Sequence, residues 1–146
     1  MSNNQFKRGE LYSVINGVAS TAVARRLQKN FRNAGLEITI EQWSILYHLW
    51  KEDGLSQQEL CTRTFRDKAS ITRLIDNIEK LELVERIASK DDRRVNLVYL
   101  TDAAKPLQEA TYNIANQTMN EALQGISKEE IEIVKSVFQR VYENSK

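Results

Sequence analysis

The sequence predicts a mainly α-helical fold with one small β-hairpin, and three observations support this prediction. Apolar residues recur at helical spacing along most of the 146 residues, which include only one proline and five glycines. Two short helices are indicated between residues 56 and 81. Two strands follow at residues 86–88 and 96–100, joined by a charged turn. Two short helices followed by a hairpin are the elements of a winged helix-turn-helix.

The first predicted element is a long helix over residues 6–33. Its apolar residues, among them Leu11, Val18 and Phe31, lie roughly on one stripe. Basic residues gather near its end, where they complement the negative end of the helix dipole. Gly35 follows directly and is expected to end the helix.

Three further helix starts are marked by capping boxes, in which a Ser or Thr is followed three residues later by Glu or Gln. The pairs are Thr39 with Gln42, Ser56 with Glu59, and Ser127 with Glu130. They predict helices near residues 40–52, 57–65 and 128–143. Asp67 is a fourth N-cap candidate and starts a helix that runs to about Leu81.

The last third of the chain predicts two helices, 102–125 and 128–143. Pro106 lies close to the start of the first, so that helix is expected to begin late or to kink. The sequence is thus one domain, 1–146, in which a winged helix-turn-helix module at 38–101 is flanked by helices at 6–33 and 102–143. Because a single module cannot cover their apolar stripes, we expect these flanking helices to form a homodimer.

Composition excludes several classes of protein. With one cysteine and one histidine, the chain can form neither an internal disulfide nor a Cys/His zinc cluster. No signal peptide or membrane-spanning stretch is indicated, so we expect a soluble cytoplasmic protein. Glycine-rich phosphate loops, a Ser/His/Asp set and HExxH are absent, and we expect no enzyme, cofactor or metal. The net charge of +1 requires any nucleic-acid site to be a local basic face.

The helix that starts at Asp67 is the candidate recognition helix. Ile71, Leu74, Ile75, Ile78 and Leu81 have core spacing, which leaves a small, hydroxylic and basic face outward: Lys68, Ala69, Ser70, Thr72, Arg73 and Asn77. Such a face can enter a DNA major groove, where Arg73 could pair bidentately with guanine. A solvated helix face is the alternative, and the hairpin that follows favours DNA.

The hairpin tip is the second candidate DNA contact. Arg93 and Arg94 project from it, and an arginine there can enter a narrow minor groove. Asp92 would orient an arginine, because carboxylate and guanidinium match as a planar pair. A mixed-charge surface turn is the alternative. Arg86 and Lys90 of the hairpin complete the candidate set.

Five segments together resemble one known family. They are Ile38-Thr39-x-x-Gln42-x-x-Ile45-Leu46, Leu55-Ser56-x-x-Glu59-Leu60, Ser70-Ile71-Thr72-Arg73-Leu74-Ile75-Asp76-x-Ile78-Glu79, Leu83-Val84-x-Arg86 and Asp92-Arg93-Arg94-x-x-x-Val98-x-Leu100-Thr101. In them the chain resembles the multiple-antibiotic-resistance regulator (MarR) family. The resemblance implies a homodimeric winged-helix regulator, usually a repressor, that binds a short palindrome and often releases it when a small phenolic ligand binds or a cysteine is oxidised. It places Ser70, Thr72 and Arg73 on the recognition helix, and Asp92 and Arg94 in the wing's Asp-x-Arg pair.

The chain departs from the family pattern at three places. At the first, the glycine common just after Leu-Thr is absent, and Ala103-Ala104 occupies that stretch. The glycine that commonly precedes Leu-Val is Glu82 here, at the turn after the recognition helix. Cys61 takes the place of a small apolar residue and does not lie in the first helix, where the family's oxidant-sensing cysteines tend to be. We expect Cys61 to be a small buried hydrophobic residue.

Trp43, Tyr47 and Trp50 form an aromatic row on the helix after Thr39. The row is either plain core or the wall of a pocket for a small aromatic effector, since the family's aromatic ligands bind between the winged module and the long helices. His48 has no partner ligands near it in sequence. A winged-helix module that binds protein and not DNA is the competing function, although the basic and hydroxylic residues of the recognition face favour double-stranded DNA. The two-fold symmetry of a homodimer predicts that this DNA is an inverted repeat.

Overall fold

The computed structural model describes residues 8–146 and confirms the predicted winged helix-turn-helix fold. Over these residues the elements are α1 (Arg8–Asn16), α2 (Val18–Asn33), α3 (Ile40–Lys51), β1 (Leu55–Ser56), α4 (Gln57–Thr64), α5 (Lys68–Lys80), β2 (Val84–Ala88), β3 (Asn96–Leu100), α6 (Leu107–Ala122) and α7 (Lys128–Ser145). Within the same range, no helix combines the length and the apolar character needed to cross a membrane.

The predicted single helix over 6–33 is wrong, because the chain forms two helices that meet at Gly17. A Cβ atom at Gly17 would lie 1.7 Å from the carbonyl oxygen of Ser13, so only glycine fits this junction. The predicted start at residues 6 and 7 lies outside the described residues. Helix α2 ends as expected, with Gly35 at a φ of 78° just after it.

The predicted helix caps are confirmed. Thr39, Ser56 and Ser127 each accept a hydrogen bond from the backbone N–H three residues on, and each capping-box partner accepts from the cap's own N–H. Asp67 accepts from the N–H of Ser70 at 2.8 Å and starts α5 at Lys68. Helix α6 begins late, directly after Pro106.

The sheet has three antiparallel strands in the order β1-β3-β2. Strands β2 and β3 form the predicted hairpin, with Val84 opposite Leu100 and Ala88 opposite Asn96, so β2 begins two residues earlier than predicted. The two-residue strand β1 was not predicted. It pairs Leu55 with Val98 and ties the start of α4 to the hairpin.

The core lies inside the winged module. Ile71, Ile75 and Ile78 of α5 are fully buried, as their spacing predicted. They form one cluster with residues of α3, α4 and the sheet, namely Ile45, Leu46, Leu49, Leu60, Val84 and Val98. Leu81 was expected in this core but is 41% exposed, because it lies at the C-cap, beyond the last full turn of α5.

The turn between α5 and β2 is strained. Glu82 has a φ of 61°, in the left-handed region that favours glycine. Two hydrogen bonds hold it there: its N–H donates to the carbonyl of Glu79, and its carbonyl accepts from the Thr101 hydroxyl at 2.6 Å. The glutamate that replaces the family's glycine thus keeps the glycine conformation.

The terminal helices carry large apolar side chains on their surfaces. On α1 and at the start of α2 the exposed ones are Leu11, Tyr12, Val14, Ile15 and Val18, and on α7 they are Ile133, Val134, Val137, Phe138 and Tyr142. No residue of α7 is buried. By contrast, α6 packs on α2, where the side-chain amide of Asn30 donates to the buried Thr118 hydroxyl at 2.8 Å.

Candidate nucleic-acid interface

The outward face of α5 is narrower than the sequence predicted. Lys68, Ala69 and Arg73 are exposed, and Ala69 and Arg73 lie one turn apart. Asn77 is half-buried. Asp76, which the sequence did not single out, is exposed on the next turn. The face therefore pairs a small residue with one long basic side chain, which suits close approach to base edges.

The two hydroxyl residues of α5 are engaged with protein. Ser70 donates its hydroxyl proton to the Asp67 carboxylate at 3.0 Å, and the backbone and hydroxyl donors of Ser70 lower the pKa of Asp67. Thr72 is half-buried and accepts from the side-chain amide of Gln57 at 3.1 Å. This bond turns Thr72 towards α4.

Arg86 lies on β2 with its guanidinium directed towards α4 and α5. It donates to the carboxylates of Asp76 at 2.6 Å and Glu79 at 3.1 Å, to the Gln57 side chain at 3.2 Å and to the carbonyl of Thr72 at 3.4 Å. Its side chain is only 17% exposed. Four of the five guanidinium N–H groups therefore already have protein acceptors, which leaves one donor for the predicted DNA contact.

The wing is the loop between β2 and β3, and its arginine is oriented as predicted. Asp92 accepts from the Nε, the terminal nitrogen and the backbone N–H of Arg94, at 3.1 to 3.2 Å. These bonds lower the pKa of Asp92. The Arg94 side chain is nevertheless 91% exposed, so its charge is held in place but open to solvent. Lys90 and Arg93 are exposed beside it.

Two grooves border the recognition helix. We call the first the wing groove: it holds about 340 Å³ between α4, α5 and the wing, and Gln57, Gln58, Lys68, Arg94 and Val95 line it. The second, the α3 groove, holds about 290 Å³ between α3 and α5 and is lined by Thr39, Glu41, Arg66, Ser70, Arg73 and Asn77. The predicted site residues are thus divided between the two sides of α5.

The sequence did not identify Arg66 as a candidate site residue, although it lines the α3 groove. It lies between α4 and α5, where Phe65 adopts a left-handed φ of 52° and redirects the chain. The only sequence signal was a basic residue directly before the Asp67 cap, and such residues are common in turns. The groove that it shares with Arg73 depends on how α3 packs on α5.

The rings of the aromatic row contact aromatic residues of other helices. Trp43 contacts Phe31 and Tyr47, with ring centroids 5.7 and 5.9 Å apart. Tyr112 of α6 contacts both Tyr47 and Trp50. The row therefore lies between the winged module and α2 and α6, as expected.

The indoles of the row differ in hydrogen bonding. Trp50 donates its ring N–H to the carbonyl of Ala104 at 3.1 Å, whereas the buried ring N–H of Trp43 has no acceptor among the described residues. Burial, and then Arg63 and Lys51, lower the pKa of His48, which keeps its imidazole neutral near pH 7. Cys61 is half-buried against the core, less covered than predicted.

Comparisons with known proteins agree with the winged helix-turn-helix fold described above. A model of the MarR family matches residues 35–95. The fold is similar to that of a MarR protein from Peptoclostridium difficile, with 20% identity and a TM-score of 0.83 over 99% of this chain and 92% of the other. It is also similar to Bordetella bronchiseptica BpsR, whose DNA binding is regulated by 6-hydroxynicotinic acid, with 18% identity and a TM-score of 0.80 over 97% and 96%. A probable transcriptional regulator from Pseudomonas aeruginosa is 28% identical, with a TM-score of 0.72 over 84% and 92%.

Proposed function

We propose that this chain, which matches a model of the MarR family over residues 35–95, is a homodimeric transcription regulator that binds an inverted repeat in double-stranded DNA and acts as a ligand-responsive repressor. The observation that carries this proposal is the pair of arginines on the two elements that would meet DNA. Arg73 is exposed on α5, and Arg94 is exposed on the wing in a fixed orientation set by Asp92. Such a regulator works in the cytoplasm, where its DNA lies.

In this proposal α5 enters the major groove with Lys68, Ala69 and Arg73 towards the bases. Arg73 pairs with a guanine, and the small Ala69 lets the helix approach. Arg94, with Lys90 and Arg93, follows the neighbouring minor groove and its phosphates. Arg86 holds α5 in this position, because its hydrogen bonds join β2 to α4 and α5.

The proposed dimer uses the exposed apolar faces of α1, α2 and α7. Solvent exposure of so many large apolar side chains is unfavourable for a monomer. A two-fold axis through these helices would place two copies of α5 on one face of the molecule. The two half-sites would then lie about one helical turn apart, roughly 10 base pairs centre to centre.

Selection of bound sequences from random duplexes, followed by footprinting, tests the proposal. We expect an enriched inverted repeat, protection of both half-sites, and a dimer mass in light scattering at micromolar concentration. Repression is checked separately with a reporter placed behind the selected repeat. A monomer mass, or protection of one unrepeated half-site, would contradict the dimeric arrangement.

A winged-helix module that binds protein is the competing function. Such a module has no need of basic and hydroxylic residues on its recognition face, whereas Lys68, Arg73 and Arg94 are all exposed here. A mobility-shift assay on random duplex at low salt separates the two functions, because a DNA-binding protein binds non-specifically through its charges. Absence of any shift at low salt would favour the protein-binding module.

The proposed effector is a small aromatic acid that lodges near Trp43, Tyr47 and Trp50. The support is the position of this row between the winged module and α2 and α6, together with the ligand-regulated DNA binding of BpsR. A ligand there can favour a different spacing of the two recognition helices. It can weaken operator binding only by as much as it prefers that spacing.

A further inference from the structure

We propose that the α3 groove holds a backbone phosphate of the bound DNA, with Arg66 as its principal ligand. This inference rests on the proposed DNA binding and adds to it a second contact line, on the side of α5 away from the wing. No sequence pattern assigned a role to Arg66. The occupant is a phosphate diester of double-stranded DNA.

The charge state of the groove is the first argument. Arg66 and Arg73 both line it, and neither makes an ion pair with a carboxylate of the described residues. Nearby arginines behave differently: Arg63 pairs with Glu52, and Arg86 pairs with Asp76 and Glu79.

The burial of Arg66 is the second argument. Its side chain is half-buried. Its guanidinium donates no hydrogen bond to any acceptor among residues 8–146. A guanidinium that has lost part of its water shell without gaining an acceptor favours an anion. Phosphate suits it well, because the guanidinium fork can donate two parallel hydrogen bonds to phosphate oxygens.

The other groups of the groove can take part in this contact. Thr39, the N-cap of α3, accepts from the N–H of Gln42, which leaves its own hydroxyl proton for a phosphate oxygen. The amino end of α3 adds a positive dipole end beside it. Glu41 also lines the groove and opposes an anion, so its charge sets a limit on affinity.

The position of the groove relative to α5 completes the argument. A helix in the major groove has a sugar-phosphate strand on each side. The wing groove, with Lys68 and Arg94, lies on one side of α5, and the α3 groove, with Arg66, lies on the other. Contacts to both strands would fix the depth and the register of the helix, while the bases are contacted between them.

The experiment measures duplex affinity as a function of salt for wild type, Arg66→Gln and Arg63→Gln. Each lost phosphate contact lowers the slope of log K against log salt by about 1, so a substitution that removes one contact from each half-site of the proposed dimer lowers it by about 2. We expect this for Arg66→Gln, with unchanged base preference at every position of the site. Arg63→Gln is the matched control, because Arg63 is also beside the turn after α4 but is paired with Glu52 and does not line the groove.

Two further measurements separate the outcomes. Glu41→Gln should strengthen duplex binding, since it removes a charge that opposes the phosphate. Duplexes with a single neutral methylphosphonate, scanned along each strand, should reveal one position in each half-site that weakens binding of the wild type but not of Arg66→Gln. Melting curves of each variant check that the fold is intact.

If wild type binds duplex but Arg66→Gln keeps the full salt slope and its sensitivity to every methylphosphonate, the phosphate contact is wrong while the proposed function stands. If wild type binds no duplex even at low salt, the proposed function itself fails.

Discussion

At the scale of single residues, the arginines around the recognition helix differ in what holds them. Arg86 is held by two carboxylates and is nearly covered, and Arg94 is held by one carboxylate but is exposed. Among the described residues, neither Arg66 nor Arg73 forms a salt bridge with a carboxylate. The charge of Arg73 nevertheless helps to lower the pKa of Asp67. A protein partner fixes a guanidinium but consumes its donors. The four residues therefore lead to different expectations for DNA binding.

Arg73→Ala and Arg94→Ala should differ in their effect on sequence preference. Loss of Arg73 should cost roughly 1–3 kcal/mol of binding free energy and relax the preference at one position of each half-site. Loss of Arg94 should weaken binding on many sequences, most on A·T-rich flanks, because it follows groove shape and charge. Binding to a panel of single-base operator variants measures both. Equal losses on every sequence would show that Arg73 touches only phosphate.

Arg86→Met should lower the free energy of unfolding by roughly 1–3 kcal/mol, since two partly exposed carboxylates lose a charged hydrogen-bond partner. Chemical denaturation measures this change. Operator affinity should fall with an unchanged salt slope, because Arg86 positions α5 without touching phosphate. Arg86→Lys, which keeps the charge but not the fork, should recover part of both losses. A slope lowered by about 2, one contact per half-site, would instead support the predicted direct DNA contact.

Glu82→Gly should raise the free energy of unfolding by about 0.5–1 kcal/mol. Glycine relieves the cost of the left-handed backbone at this turn, which exceeds the entropy that glycine adds to the unfolded chain. Glu82→Ala is the control, since it removes the charge but keeps the backbone strain. Denaturation of the two variants side by side is the measurement, and equal stability of both would show that the turn is not strained.

At the scale of elements, the break at Gly17 determines the direction of α1 relative to α2. The amino-terminal segment is two helices, so the exposed apolar residues of α1 need not follow the line of α2. Helix α2 itself is committed to α6 through Asn30 and Thr118. The junction therefore sets the direction of the proposed dimerisation surface independently of the body of the protein.

Gly17→Ala should disturb self-association more than the stability of the monomer. The new Cβ would collide with the carbonyl of Ser13, so α1 must change direction relative to α2. We expect dimer dissociation to become roughly tenfold easier or more, equivalent to about 1.4 kcal/mol. Ser20→Ala, in the exposed first turn of α2, is the matched control. Sedimentation equilibrium measures both, and an unchanged dimer in Gly17→Ala would exclude α1 from the interface.

At the scale of the whole molecule, the aromatic row connects the DNA-binding module to α6. Tyr112 of α6 touches Tyr47 and Trp50, and Trp50 is bonded to Ala104 just before α6. Any ligand that separates these rings would change the angle between the winged module and the helices proposed to form the dimer. The spacing of two recognition helices would change with it.

A salicylate-type compound should change tryptophan fluorescence and weaken operator binding over the same concentration range, because both tryptophans lie in the row. Titration in the millimolar range with single-tryptophan variants, Trp43→Phe and Trp50→Phe, would locate the effect. The ring N–H of Trp43 lacks an acceptor among the described residues, so the stronger response is expected from Trp43. No response in either variant, with operator affinity constant, would remove phenolic ligands from consideration.

What the sequence determined by itself is the set of features that act within a few residues of each other. The three capping boxes, the Asp67 cap and the Asp92–Arg94 pair each join residues two or three apart, so their chemistry is visible in the printed chain. The core face of α5 and the hairpin were predictable for the same reason, because periodicity and turn residues are local.

What only the tertiary structure decided are the features that depend on distant residues. Strand β1 exists because Leu55 meets Val98, and a two-residue strand has no pattern of its own. Arg86 looked like a surface arginine of the hairpin until packing brought Gln57 and Asp76 to it. Arg66 and Arg73 line a common groove only because α3 and α5 pack together. The sequence gives the charge of a side chain. Whether its hydrogen-bond donors already have acceptors within the protein depends on which distant groups the fold brings close to it.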